Sequence, residues 1–320
     1  MVRYILARLF WMAVTVVLIV TILYISTSMV MLHNFGPRPR LSFLENFMVV
    51  WSNFIVFIRN IVTDWHWGYS PRGEEIWDTL MRRAPLTIRV NLIVALIYTT
   101  FGLLLGFIAA IKKDTWIDNV ISTFIMIFSS IPSFILVFPL VIILGFQLRW
   151  VPSQYPDAFF EPTLIRSLKG LVIPVLALSG PAIATLARLV RGELVESLNS
   201  DYLLLARVKG LTRKHAVFKH SVRNSLIPIL NAMPALFTSV LMTSFFIEPV
   251  YGMRGISAWF LRSIVSMVDG GGFFYIRVPD VIIISLFYAS FALVGALIVD
   301  ILYAVVDPRV NMRSKKSITT

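Results

Sequence analysis

The stretch LFWMAVTVVLIVTILYISTSMVML, residues 9–32, decides the fold, because its 24 residues include no charged side chain. A helix of about 20 apolar residues is long enough to cross the hydrocarbon core of a bilayer. The stretch is too long for the apolar region of a signal peptide, and it shows no small-residue cleavage site. We therefore expect it to stay in the protein as a first membrane span.

Further charge-free windows follow along the chain, most of them close to the length that a bilayer requires. The third window contains Pro132, Pro139 and Gly145, so we expect a kinked helix there. The predicted fold class is an all-α membrane protein with one helical membrane domain of six transmembrane helices. The predicted spans are residues 9–32, 90–111, 119–146, 170–187, 224–247 and 281–304.

The segment between the first two spans, residues 33–89, contains a shorter apolar run. Asn46–Ile58 is only about 13 residues long, which is too short to span, so we predict an interfacial or re-entrant helix. The run WHWGY at residues 65–69 has the aromatic composition of a membrane–water boundary. Anchoring at that boundary and contact with a substrate both stay open as roles for it.

The composition belongs to a protein whose main solvent is lipid. Apolar residues make up 58% of the chain and charged residues 14%, against about 45–50% and about 25% in soluble domains, and the mean hydropathy is +0.81. The net charge of +12 is distributed between the apolar windows, which favours a role in membrane orientation over nucleic-acid binding. The absence of cysteine excludes disulfides, thiolate metal sites and thiol catalysis.

An even number of spans places both termini on the same side of the membrane. More than half of the 29 Lys and Arg residues lie in residues 1–8, at 112–113, in 188–223 and in 305–320. The positive-inside rule therefore predicts that these segments and both termini are cytoplasmic. Residues 33–89 and 248–280 are then extracytoplasmic, in a multi-pass membrane protein.

The sequence has no signature of ATP binding or catalysis. The phosphate-binding pattern GxxxxGK followed by Ser or Thr does not occur, and we predict no catalytic, cofactor-binding or metal-ligating residue. His215 and His220 are five residues apart, which on a helix is about 140° around the axis and does not suit a metal pair. Within the predicted spans the one carboxylate is Asp300, near the end of the last span. A carboxylate deep in the membrane would be expected of an ion-driven secondary transporter, so that class is the less favoured alternative.

The longest basic interruption is RLVRGELVESLNSDYLLLARVKGLTRKHAVFKHSVRNSLIP, residues 188–228. Asn199 or Ser200 suits the cap of a short amphipathic helix with Asp201 in its first turn, and Gly210 suits its end. A second helix is predicted to begin near Thr212. The predicted apolar residues are Tyr202, Leu205 and Ala206 in the first helix and Val217, Phe218 and Val222 in the second.

Short cytoplasmic helices with an apolar face need something to cover it. Another protein subunit is one explanation, and an interfacial position on anionic lipid explains the basic residues equally well. From the physical character of the residues, both explanations stay open.

The same segment resembles the EAA loop of binding-protein-dependent ABC importer permeases, specifically those of the dipeptide/oligopeptide (peptide/nickel/oligosaccharide) group. The family pattern is matched by Arg188, Arg191, Glu196, Asp201, Tyr202, Ala206, Arg207, Lys209, Gly210, Leu211, His220, Arg223, Asn224, Ile227 and Pro228. Looser matches elsewhere are Pro85–Thr87, Gly102, Gly106, Ile131–Phe134, Asp300, Tyr303 and Asp307–Arg309.

The resemblance implies the architecture of a type I ABC importer. Two permease chains would pair with two ATPases, which use ATP and Mg, and with an extracytoplasmic substrate-binding protein. The implied cargo is a dipeptide or oligopeptide, with an oligosaccharide or a nickel chelate as alternatives. The implied ATPase-coupling residues are Glu196, Asp201, Tyr202, Ala206, Arg207, Lys209, Gly210 and Leu211, and the implied loop anchors are Arg188, Arg191, His220, Arg223, Asn224 and Pro228.

The sequence departs from the family pattern in places. The letters that name the EAA loop correspond to Leu204, Leu205 and Ala206, so the carboxylate is absent there, and residues 249–256 and 269–274 match the family loosely or not at all. Helix breaks near membrane depth either kink a helix for packing or line a cavity. The candidate breaks along a translocation pathway are Pro132, Pro174, Gly180 and Pro181.

Overall fold

A computed structural model describes residues 2–35, 42–70, 73–156, 164–264, 266–268 and 271–306. Nearly all of these residues are helical, which confirms the predicted fold class. The predicted residues Asp307–Arg309, and most of the predicted C-terminal tail, lie outside the described ranges. The helices are α1 Val2–Phe35, α2 Phe43–Asp64, α3 Ile76–Ile111, α4 Trp116–Ser130, α5 Ser133–Leu140, α6 Leu164–Leu198, α7 Asp201–Val208, α8 Arg213–Ala216, α9 Arg223–Val250, α10 Ile256–Ile264 and α11 Val278–Val306.

The described residues also include two π-helical stretches and one short β-hairpin. A π-helical stretch Val141–Gln147 extends α5, and a second one, Val217–Val222, joins α8 to α9. Strands β1 Ser266–Val268 and β2 Gly271–Tyr275 form an antiparallel pair. The hairpin is the one β-structure with named strands in the described ranges, and it lies within the predicted extracytoplasmic loop 248–280.

Among the described residues, six helices are long and apolar enough to cross a membrane. Five of them correspond to predicted spans, but they extend beyond the predicted ends. Helix α3, for example, begins at Ile76 rather than residue 90, and α6 ends at Leu198 rather than residue 187. The predicted windows stopped at the first charge, whereas a helix continues past charged residues once they reach water.

The sixth of these helices is α2, which has 22 residues instead of the predicted 13. A capping box begins it: the Glu45 backbone N–H donates to Ser42 Oγ at 3.3 Å, and the Ser42 backbone N–H donates to Glu45 Oε2 at 2.8 Å. Trp65, in the left-handed conformation with φ 54°, ends it. The expectation that this helix is too short to span is therefore wrong, because the helix continues past the charges of Glu45 at one end and Arg59 at the other. Its interfacial position stays a prediction.

The predicted third span is broken rather than kinked. Helices α4 and α5 meet at 99° around Ile131–Pro132. Ile131 has an extended backbone, as the residue before a proline prefers, and Pro132 occupies the N-cap position of α5. The break confines continuous helix to shorter pieces, so this pair is either one bent span or a re-entrant loop.

One compact unit consists of residues 1–88 and 254–293. Val20, Phe54 and Ile282 form part of its core. Trp65, Trp67 and Trp77 contact one another, with ring centroids 5.0–6.1 Å apart. This mutual packing suits the anchoring role considered for the WHWGY run.

The other unit consists of the described residues within 89–253 and 294–306, and α6 is its central helix. In its apolar window 72% of the residues are buried, against at most 28% in the other candidate spans. Helix α6 contacts α4, α5 and α9, and glycines on α3 bring that helix close as well. A Cβ placed on Gly102 would lie 2.8 Å from Leu186, and one on Gly106 would lie 2.6 Å from the Ala187 carbonyl oxygen.

Gly106→Ala is expected to lower the free energy of unfolding by about 1–3 kcal/mol, because the added methyl forces α3 away from the α6 backbone. The matched control is Gly192→Ala on α6, where an added Cβ meets nothing within 4 Å and where alanine favours the helix by about 0.5–1 kcal/mol. Unfolding of the purified protein in detergent, followed by circular dichroism, measures both. Equal effects of the two substitutions would contradict the packing assigned to Gly106.

Candidate functional site

The basic segment 188–228 begins inside a helix rather than in a loop. Helix α6 continues to Leu198, so the predicted anchors Arg188 and Arg191 are helical residues. The sequence between Arg188 and Leu198 contains no proline and spaces apolar residues at helical intervals, which allows α6 to leave the apolar region without ending.

Both arginines bind residues of α4. Arg191 makes two hydrogen bonds with Asp118, from Nε to Oδ1 and from Nη2 to Oδ2, each 2.7 Å long. Asp118 is 2% exposed and also accepts the Asp114 backbone N–H at 3.0 Å. Arg188 Nη2 donates to Ser129 Oγ at 2.5 Å. The end of α6 is thereby fixed to α4 at two levels.

Helix α7 and the turn after it agree with the prediction. The helix begins at Asp201 and its last residue is Val208. Gly210 has φ +88°, a left-handed conformation that favours glycine. The Gly210 N–H donates to the Arg207 carbonyl at 2.9 Å, and the Leu211 N–H donates to the Ala206 carbonyl at 3.3 Å. Ser200 holds the N-cap position, although its hydroxyl donates to the Ser197 carbonyl at 2.6 Å instead of accepting from α7.

The buried face of α7 differs from the predicted one. Leu203 and Ala206 are buried against Ala216 and Val217 of the following helical segment, whereas Leu205 is 61% exposed. The predicted face was read from α7 alone, but the position of the next helix selects which face is covered. Ala206, predicted as an ATPase contact, is therefore a core residue of this small helical pair.

Hydroxyl groups connect the helical pair to α6 and α9. Ser197 Oγ donates to the Ser221 carbonyl at 3.2 Å and also hydrogen-bonds Tyr202. Ser225 Oγ lies 2.8 Å from the Ser221 carbonyl and 3.3 Å from the Glu193 carbonyl. Sequence reasoning missed Ser197, Ser225 and also Asp118, because serine is common at any position and Asp118 directly precedes a charge-free window.

The outward face of α7 is apolar and flanked by charges. Leu204, Leu205 and Val208 are 61%, 61% and 78% exposed. We call these three residues the α7 patch. Among the predicted coupling and anchoring residues, those with exposed side chains are Arg188, Glu196, Asp201, Tyr202, Arg207, Lys209, Arg223 and Asn224, while Arg191, Leu211 and Pro228 are half-buried. The side chain of His220 lies outside what the structure describes.

The candidate pathway residues separate into two groups. Pro174 is buried within an unbroken α6, and a Cβ on Gly180 would lie 2.7 Å from the Phe128 ring, so both serve packing. Pro181 instead lines a small cavity of about 90 Å³, next to the break at Pro132. Hydroxyl groups from α5, α6 and α9 surround the cavity: Ser133, Thr185, Ser239 and Thr243.

Several apolar helices of membrane-spanning length, joined to a helical segment that is hydrogen-bonded to them, are the architecture of a multi-pass membrane protein. Residues 102–312 match the family model described as "Binding-protein-dependent transport system inner membrane component". This match covers more than half of the chain, so the protein belongs to that family. It is a permease subunit of an ABC importer in the bacterial plasma membrane.

Curated relatives cover most of the chain at moderate identity. The dipeptide transport system permease protein DppB of Lactococcus lactis subsp. cremoris is 29% identical over 98% of this chain and 100% of its own length. The oligopeptide transport system permease protein OppB of Salmonella typhimurium is 29% identical over 76% of this chain and 74% of its own length.

Among solved structures, an inward-facing form of the MetNI methionine ABC transporter is similar in fold. Its matching chain has a TM-score of 0.53 and 18% sequence identity, and the match covers 72% of this protein and 96% of that chain. At this level of identity the likeness concerns the fold alone.

A double-mutant cycle with Asp118→Asn and Arg191→Gln is expected to give a coupling energy of about 1–3 kcal/mol in the free energy of unfolding, since a buried carboxylate with two charge-assisted hydrogen bonds loses both. The control cycle uses Lys113→Gln and Asp114→Asn, whose exposed groups are 4.0 Å apart, and should give less than about 1 kcal/mol. A coupling no larger than the control would mean that the bidentate pair does not fix α6 to α4.

Proposed function

We propose that this subunit forms half of the translocation pathway for dipeptides or oligopeptides, which an extracytoplasmic binding protein delivers. Two separate ATPase subunits, using ATP and Mg, would supply the energy, and a second permease chain would complete the pathway. The observation that carries the proposal is the α7 patch, an exposed apolar surface on a helix that is firmly fixed to the spans. The names of the curated relatives favour peptides over oligosaccharides or nickel chelates.

The contacts around α7 suggest how a partner's motion would reach the spans. The α7 patch would be the contact for an ATPase, on the side that the positive-inside rule assigns to the cytoplasm. Leu203 and Ala206 link α7 to the following helix, and a hydrogen bond between Tyr202 of α7 and Ser197 of α6 links α7 to α6. Arg191 then links α6 to α4 through Asp118. A displacement of α7 would therefore move helices rather than bend a loop.

The hydroxyl-lined cavity beside Pro181 is the candidate part of the pathway. Thr185 Oγ1 donates to the Pro181 carbonyl and Thr243 Oγ1 to the Ser239 carbonyl, both at 2.9 Å. Each of these oxygens keeps acceptor capacity, which suits the N–H groups and the ammonium terminus of a peptide. Short side chains also leave room for a cargo that varies in its own side chains.

Proteoliposomes with the complete transporter, including the partner permease, both ATPases and the binding protein, test the proposal. We expect uptake of a labelled dipeptide or oligopeptide that requires both ATP and the binding protein. Uptake without the ATPases would contradict the ATP-driven mechanism. Uptake of an oligosaccharide or a nickel chelate, with none of peptide, would contradict the substrate.

Gly210→Val is expected to uncouple ATP hydrolysis from uptake while the subunit still inserts. A left-handed conformation costs a non-glycine residue about 1–2 kcal/mol, so the turn would be populated roughly tenfold less. Uptake per ATP hydrolysed, measured in the same proteoliposomes, should fall accordingly. Gly210→Asn is the control, because asparagine adopts this conformation more readily. Normal uptake by Gly210→Val would rule out the coupling role of this turn.

Val208→Asp is expected to weaken copurification with the ATPase by roughly tenfold or more, since burying a valine side chain contributes about 1.5–3 kcal/mol. Trp150→Asp is the control, because Trp150 is 66% exposed on a segment predicted to be extracytoplasmic. Pull-down of the tagged permease from solubilised membranes measures both. Equal recovery of the ATPase with both variants would place the docking surface elsewhere.

A further inference from the structure

A basic cleft lies beside the α7–α8 segment, on the side away from the α7 patch residues. It has a volume of about 810 Å³, and its cationic side chains are Lys112, Lys113, Arg207 and Lys214. Among the described residues that line it, Asp114 is the one carboxylate, and it lies 4.0 Å from Lys113. The lining residues therefore carry a net charge of about +3. The floor is apolar, with Ile111, Leu198 and Val217 among its residues.

An apolar groove of about 420 Å³ lies in the same unit, formed by α3, α6 and α9. Its polar members are two hydroxyl residues, Thr100 and Ser225, and the Ser225 hydroxyl is engaged by backbone carbonyls. The groove thus presents mostly carbon. The apolar residues that form it include Leu103, Leu104, Phe107, Leu194, Leu226 and Ile229.

The cleft and the groove adjoin at one side chain. Phe218 lines both of them, and its ring centroid is 5.5 Å from that of Phe107 in the groove. The groove residues of α3 lie between Thr100 and Phe107, whereas α3 ends at Ile111. At 1.5 Å per residue they are about 6–17 Å from the helix end. This is the depth of an acyl chain whose headgroup lies at the level of Lys112 and Lys113.

We infer that the cleft and the groove together bind one anionic phospholipid, with its phosphate among the lysines and one acyl chain along the groove. Basic pockets beside membrane helices suit anionic headgroups, and each cation near the surface adds an attraction worth about fivefold in affinity. A soluble phosphate would use the cleft but would gain nothing from the groove. An acidic segment of another protein would be attracted to the cleft but would not fill the apolar groove at membrane depth.

The basic segment was expected to contact either another protein subunit or anionic lipid. With this inference it contacts both, through two different surfaces. The α7 patch is apolar and points outward, which suits a protein partner. The lysines line a cleft that adjoins an acyl-sized groove at Phe218, which suits lipid. A bound lipid would hold the α3–α4 turn against α8 and so support the segment from the side opposite its partner.

The test uses the complete transporter in mild detergent, with bound lipids counted by native mass spectrometry. Phosphatidylglycerol and phosphatidylcholine with identical acyl chains are titrated separately. We expect wild type to prefer phosphatidylglycerol, with an affinity that falls as NaCl is raised. The variant Lys112→Gln/Lys113→Gln/Lys214→Gln should bind it roughly 100-fold more weakly. The matched control Arg149→Gln/Arg166→Gln/Lys169→Gln removes three charges from residues distant along the chain from the cleft and should bind as wild type does.

Two further arms separate the lipid from its alternatives. Thr100→Trp narrows the groove, so it should weaken long-chain phosphatidylglycerol but leave the dihexanoyl form unchanged; an equal effect on both would overturn the acyl-chain assignment. Glycerol 3-phosphate should not displace the lipid at comparable concentration, and displacement would show that a free anion occupies the cleft. Equal binding of both lipids by wild type, or no loss in the triple lysine variant, would overturn the inference as a whole.

Discussion

Close contact with α6 is the constraint on which the compact unit around that helix depends. In a bilayer the hydrophobic effect does not hold helices together, so they associate through van der Waals contact and polar pairs. Gly102 and Gly106 allow the van der Waals contact, because any larger residue would collide with Leu186 or with the α6 backbone. Asp118 and Arg191 form the polar pair, at the point where α6 leaves the apolar region. The basic segment 188–228 is held to this helix through Ser197 and Ser225.

The positions of the spans are readable from the sequence, but their ends are not. An uninterrupted apolar window predicts which residues cross the hydrocarbon core, and five windows coincide with long helices. A helix, however, ends where its backbone hydrogen bonds end, and charged residues in water do not interrupt them. This is why α3 begins 14 residues before its predicted window. The break at Pro132 follows from local chemistry, yet the 99° angle depends on the surroundings.

The basic segment 188–228 is likewise only partly predictable from the sequence. The beginning of α7 at Asp201 and the turn at Gly210 follow from local preferences that any short helix shares, so the sequence predicts them. The buried face does not follow, because it is chosen by contact with Val217 rather than by α7 itself. The Asp118–Arg191 pair joins residues 73 positions apart, and neither residue alone signals the other.

The exposed α7 patch has a consequence for how much of the subunit a cell can safely make. Leu204, Leu205 and Val208 present a contiguous apolar surface to water, and such surfaces promote non-specific association. A copy without an ATPase partner would carry that surface uncovered, open to aggregation and to recognition by proteases. With the proposed ATPase bound to this patch, matched synthesis of the subunits would keep the patch covered, and excess permease would be removed because these apolar residues are exposed.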